Sequence, residues 1–186
     1  AERLENRLEI KLKDYREVKG MFDFITSIGM FEHVSKPCYG EFMRDLNILL
    51  KPNGVGLLHT IALSDPPEIP PDPWIQRHIF PGTRLPRLQE IVEEMNRYGL
   101  TIAHVENLKP HYAETLRLWR KKFEQNKRRI RLLRANYDER FLRTWKYYFQ
   151  SCEAGFRYSS LNVYQILFSK GNRWPFPLQF GSFMVN

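Results

Sequence analysis

The 186-residue sequence has two cysteines, ten scattered glycines and no long apolar run, and each shortage removes a class of protein. Cys38 and Cys152 are too few for a disulfide framework or a four-ligand zinc centre, which points to a reducing, cytoplasmic setting. The five histidines, at positions 33, 59, 78, 104 and 111, lack a spacing such as H-x-x-x-H, so no metal site is expected. No apolar stretch is long enough to cross a bilayer and no signal peptide precedes the first expected strand, so the chain reads as soluble, without a transmembrane segment. The glycines never gather into a G-x-G-x-G-like cluster, the turn through which backbone approaches a nucleoside cofactor closely. Internal repeats and low-complexity tracts are absent as well.

What is present is led by the stretch from Phe22 to Val34. It is a run of β-branched and aromatic residues with no polar face, which ends at Gly29 and then delivers Glu32 and His33. Such a run suits a strand covered on both sides, as in a parallel α/β sheet. Ligands of these sheets bind beyond the carboxyl ends of the strands, which places Glu32 and His33 on the functional edge. Val55 to Ile61 reads as the next strand, apolar until His59, and that imidazole faces the same edge.

The rest of the chain alternates in the same manner. Ala1 to Asn6 reads as the end of a helix and Leu8 to Leu12 as a strand, followed by the acid and aromatic pair Asp14 and Tyr15. Ser35 and Pro37 mark a helix start, Tyr39, Phe42, Met43, Leu46 and Leu49 follow at helical spacing, and residues 51–54 stop it. Residues 62–86 are proline-rich and without periodicity, a long loop of the functional kind, with Trp74, Ile75, Ile79, Phe80 and Leu85 as apolar lining or as a satellite core. A helix ends at Gly99, and Leu100 to Glu106 forms a strand. A long helix opens at His111 with Leu116, Trp119, Phe123, Ile130 and Leu133 on one stripe. A second helix begins at Asn136 or Asp138 and aligns Phe141, Trp145, Tyr148, Phe149 and Cys152. Asn162 to Ser169 is the last strand, and residues 171–186 lose periodicity.

Charge is concentrated rather than spread. The net charge is +8, and between Arg117 and Lys146 twelve Lys/Arg face three acids, a local +9 that leaves −1 for everything else. That patch points to a polyanionic surface, nucleic acid or anionic lipid headgroups, with a solvated helical face as the bland alternative.

In order along the chain, the Phe22–Val34 stretch, Leu57-Leu58-His59-Thr60-Ile61, Asp72-Pro73-Trp74, Ile79-Phe80-Pro81-Gly82 and Leu85-Pro86 resemble the cyclopropane-fatty-acyl-phospholipid synthases and the related mycolic acid cyclopropane synthases. The likeness runs from about Leu8 to Lys170. It implies the carboxyl-terminal half of a Rossmann-like α/β methyltransferase fold, with a helical and loop insertion over the substrate site. Residues 1–170 would be a partial methyltransferase domain that lacks the glycine-rich cofactor loop, and 171–186 an irregular tail. The implied reaction transfers a methylene or methyl group from S-adenosylmethionine to the double bond of an unsaturated fatty acyl chain of a phospholipid.

By the same resemblance, Asp14 and Tyr15 lie against the adenine of the cofactor. A bicarbonate ion, the base, is held by Glu32, His59, the backbone at Ile61, and Tyr112. A carboxylate beside a bound anion needs its own proton or one kept on the imidazole, which couples their titration. Trp74, Phe80 and Cys152 line the substrate pocket, Cys152 not as a nucleophile. The basic helical region 117–146 would make the protein cytoplasmic but peripheral to the membrane, with lipid rather than nucleic acid as partner. The missing cofactor loop implies a truncated chain of little activity and poor stability, its strand at residues 8–13 either floating or pairing abnormally and leaving an exposed edge. The alternatives are a small-molecule N-methyltransferase of the same superfamily and a non-catalytic basic lipid-binding fragment.

Overall fold

The computed structural model describes residues 8–64, 72–172 and 175–176. Expectations for residues 1–7, for 65–71 and for most of the 171–186 tail lie outside them. Four strands form one open sheet in the order β1-β2-β4-β3, with β1 (Phe22–Ile28) parallel to β2 (Leu50–Leu63). β4 (Leu161–Lys170) lies between β2 and β3 (Leu100–Asn107) and is antiparallel to both.

One face of the sheet is covered by α1 (Tyr39–Leu49) and α3 (Leu88–Arg97). Their apolar faces, with Phe42, Met43, Ile91 and Met95 buried, meet Leu58, Ile166 and Phe168 of the strands in the larger core. Burying side chains of this size contributes roughly 1.5–3 kcal/mol each, so this face dominates the stability. Glu90 fixes the start of α3, accepting the backbone N–H of Arg87 at 2.9 Å, and Gly99 ends the helix in a left-handed turn (φ 69°). Among the described residues the other face is covered only at the carboxyl end of β2. There α4 (Lys109–Gln125) and α6 (Glu139–Tyr158) pack Leu116, Phe149 and Phe156 against Val163 and Ile61. The short α5 (Lys127–Arg131) lies between them in the chain.

Several expectations are corrected. Leu8 to Leu12 forms no strand; its leucines and isoleucine are exposed, because among the described residues no strand lies beside β1 for it to pair with. Of the two outcomes expected for this segment, floating is the one observed, and the outer edge of β1 is open among the described residues. β1 is covered on one face only: Phe24 and Ile28 are 74% and 66% exposed on the other. The proline-rich loop contains a helix, α2 (Pro73–His78), whose N-cap Asp72 accepts from the N–H groups of Trp74 and Ile75. The long helix beginning near His111 breaks at Asn126, so Leu133 leaves the stripe and is exposed. Residues 51–54 belong to β2, with Asn53 in a left-handed conformation (φ 64°), and α1 has already ended at Leu49.

Candidate active site

The carboxyl end of β1 is shaped by Gly29. Its φ of 63° turns the chain, and its N–H donates to the His59 carbonyl at 3.0 Å, tying the turn to β2. A single turn of 3-10 helix over Phe31–His33 then buries Phe31 in the core and turns Glu32 inward. The Glu32 carboxylate is buried and accepts the Thr60 hydroxyl, Oγ1 to Oε2, at 2.9 Å. A buried carboxylate needs such partners, since an uncompensated one is costly.

β2 alternates as a strand must, so Thr60 shares the buried face with Leu58 and Ala62 while His59 and Ile61 point to the opposite face. The partner of Glu32 is therefore Thr60 and not its neighbour His59. The His59 ring lies in register between Ile28 and Gln165, with Nδ1 3.2 Å from Gln165 Nε2. Ile61 packs with the α4–α6 cluster.

The start of α4 brings Tyr112 over this edge. Its ring packs edge-on against Phe156 (centroids 4.8 Å), and its hydroxyl is pushed above the usual tyrosine range by burial first and then by the Glu32 charge. Cys152 of α6 closes the group. Burial pushes its thiol up to about 11, the Asp72 charge adds to this, and a bond with the Tyr148 hydroxyl opposes it. Tyr148 is itself raised, chiefly by burial. A thiol in this state is protonated at neutral pH, which fits a lining residue and not a nucleophile. Glu32 is thus bonded to Thr60, Cys152 to Tyr148, and the Glu32 charge reaches the Tyr112 hydroxyl from across β2.

The segment around α2 roofs that edge. Phe80 stands between the His33 ring (5.5 Å) and Tyr148 (6.0 Å), and Trp74 packs edge-on against Tyr147 at 4.3 Å. Asp14 and Tyr15 lie elsewhere on the sheet's covered side. Asp14 caps a single 3-10 turn and grips the Arg16 guanidinium at 2.6 Å, which holds its carboxyl down at about 2. Tyr15 packs edge-on against Phe42 at 5.5 Å.

Thr60, quoted within a motif, and Tyr148, aligned with Cys152 on a helical stripe, were given no site role from the sequence. The period of two along β2 separates Thr60 from His59, which was the signal for its role. Among the described residues no group of His, Cys, Asp and Glu is arranged to hold a metal ion, and no helix is long and apolar enough to cross a membrane.

The profile of the mycolic acid cyclopropane synthetase family matches residues 1–166. The chain is 40% identical over 164 residues to the tuberculostearic acid methyltransferase of Mycobacterium tuberculosis, covering 86% of this chain and 38% of that one. It is 36% identical over 162 residues to the cyclopropane-fatty-acyl-phospholipid synthase of Escherichia coli K12, covering 87% and 41%. Among solved structures, a mycolic acid cyclopropane synthase complexed with SAH and CTAB superposes with a TM-score of 0.78 at 32% identity, covering 86% of this chain and 59% of that one. A second cyclopropane synthase, from Mycobacterium tuberculosis, gives 0.79 at 26% identity, covering 89% and 64%. The chain therefore spans about two fifths of the length of these two curated relatives.

Proposed function

The chain belongs to the mycolic acid cyclopropane synthetase family, and from that premise we propose that it forms the acceptor side of an S-adenosylmethionine-dependent methyltransferase. Its substrate is the double bond of an unsaturated fatty acyl chain of a phospholipid. The observation that carries this reading is the buried Glu32, bonded by Thr60 and acting by its charge on Tyr112, with Phe80 packed against the adjacent His33 ring and Tyr148.

The residues fit the cofactor in part. Asp14 is ionised at neutral pH, so its carboxylate can accept from an adenine amino group, in competition with Arg16. Ser27 Oγ, near the carboxyl end of β1, is buried without a hydrogen-bond partner among the described residues, which leaves a polar atom for a ligand. No glycine-rich turn lies within these 186 residues, so they supply the acceptor side of the cofactor site and not its backbone cradle.

When bound, S-adenosylmethionine supplies an activated methyl carbon. Positive charge then develops on the acyl chain, and the Glu32 carboxylate is placed to stabilise it in a site of low dielectric. Phe80 and Trp74 supply apolar surface beside that edge, and Cys152 adds neutral lining. Tyr112 keeps its proton and is a donor at neutral pH. Tyr112 and the Ile61 backbone would hold a bicarbonate ion as proton acceptor, with a proton on Glu32 as an anion beside a carboxylate requires, and His59 would join them by leaving its contact with Gln165. The basic region 117–146 makes the peripheral contact with the membrane that carries the substrate.

Calorimetric titration with S-adenosylhomocysteine tests the reading. Saturable heat is expected, lost in Asp14→Ala and kept in Glu32→Gln. A folded sample that gives no heat would overturn the assignment of a usable cofactor edge to this chain.

A further inference from the structure

The tip of the α4–α6 hairpin has a surface unlike the rest of the chain. Residues 127–134 comprise Lys127, Arg128, Arg129, Ile130, Arg131, Leu132, Leu133 and Arg134, with no acid among them. Arg131 is paired with Glu139, whereas Lys127, Arg128, Arg129 and Arg134 have no ion pair among the described residues. Leu132 and Leu133 are 86% and 66% exposed. The tip is not a frayed end: the Leu132 N–H donates to the Arg129 carbonyl at 3.1 Å and the Leu133 N–H to that of Ile130 at 3.0 Å, so consecutive turns present the leucines outward.

A solvated basic face accounts for the cations and leaves two adjacent exposed leucines unexplained, since exposed apolar residues are ordinarily scattered singly. Phosphates of a nucleic acid would likewise engage the arginines and gain nothing from the leucines. An anionic lipid interface uses both, headgroups for the cations and the acyl boundary for the leucines. We propose that residues 127–134 are the membrane-contact tip of this protein, with Leu132 and Leu133 entering an anionic lipid surface while Lys127, Arg128, Arg129 and Arg134 bind its headgroups.

This deepens the lipid reading of the site. The rise of α4 from Tyr112 to Asn126 is about 20 Å. That distance is comparable with the acyl length of one leaflet, about 15 Å.

Flotation with vesicles of phosphatidylglycerol and phosphatidylcholine, against phosphatidylcholine alone, tests the tip. Binding is expected on the anionic vesicles and should fall with salt. Arg128→Gln and Arg129→Gln should each lower partitioning about fivefold, the equivalent of about 1 kcal/mol per cation. Leu132→Asp with Leu133→Asp should lower it about tenfold or more, with an unchanged melting temperature because both side chains are in solvent. Wild-type binding by the leucine double variant would overturn the proposal, as would preference for duplex DNA over anionic vesicles. A leucine-dependent dimer in solution would overturn it too, by assigning the tip to a second copy. Vesicle binding needs no cofactor, so its failure leaves the methyltransferase reading intact, and absence of S-adenosylhomocysteine binding leaves the tip intact.

Discussion

β4 and β1 are apolar strands of one sheet with opposite surroundings. β4 is paired on both sides and buries Val163 on one face and Ile166 and Phe168 on the other, while β1 pairs with β2 alone and leaves Phe24 and Ile28 in solvent. The difference teaches that the apolar content of a strand records what a fold buries there, not what the described residues of one chain supply. β4 is enclosed because its neighbours and both helical layers belong to the matched region. β1 has the same kind of sequence, and nothing described here lies on its outer edge or on its second face.

The comparison can be broken or sharpened by substitution. The largest effect is expected at Phe168, which is fully buried: Phe168→Ala should cost about 3–5 kcal/mol in urea unfolding. Next comes the bond joining the ends of the two parallel strands. Thr60→Val leaves the Glu32 carboxylate without its donor and should cost about 1–3 kcal/mol, whereas Thr60→Ser should retain most of the stability.

A smaller, pH-dependent effect belongs to Glu90 on the covered face. Burial alone would raise its carboxyl, but Arg84, Lys36 and the Arg87 N–H bring it down to about 2. Its stabilisation is complete above the ordinary carboxylate range and is lost as pH falls towards 2, so Glu90→Gln should flatten the acid limb of the melting curve between about pH 4.5 and 2. The smallest effect is expected on β1, where Phe24→Ala should change stability by no more than about 0.5 kcal/mol. A loss there matching that of Phe168→Ala would mean that the second face of β1 is covered after all.

The sequence made much of this legible. The helices beginning at Tyr39, Leu88 and Glu139 and the strands of the sheet followed from apolar periods of 3.6 and 2, because each packs one face on the same core. The Glu32 edge was readable because a buried strand followed by glycine must deliver its next polar residues to the carboxyl end. What escaped was tertiary. Periodicity cannot say that the Leu8 to Leu12 segment has no partner strand, nor that Asn126 breaks the basic helix in two. Nor does it report that α2 sits in the proline-rich stretch, where the Asp72 cap and Pro73 at the first position were local signals outweighed by the surrounding prolines. For the candidate residues, what the sequence left open was their pairing. The Glu32 charge reaches the Tyr112 hydroxyl, whereas His59 turns to Gln165 and Asp14 to Arg16.

The open edge of β1 also leaves an imprint in time. In a parallel pair both backbone groups of one residue point to the neighbouring strand and both groups of the next point away. Along β1 every second amide therefore meets β2 and every second one meets water. Deuterium uptake should then run along Phe22 to Ile28 as an alternation of slow and fast positions, whereas β4, bonded on both sides, should be slow at every residue between Val163 and Phe168.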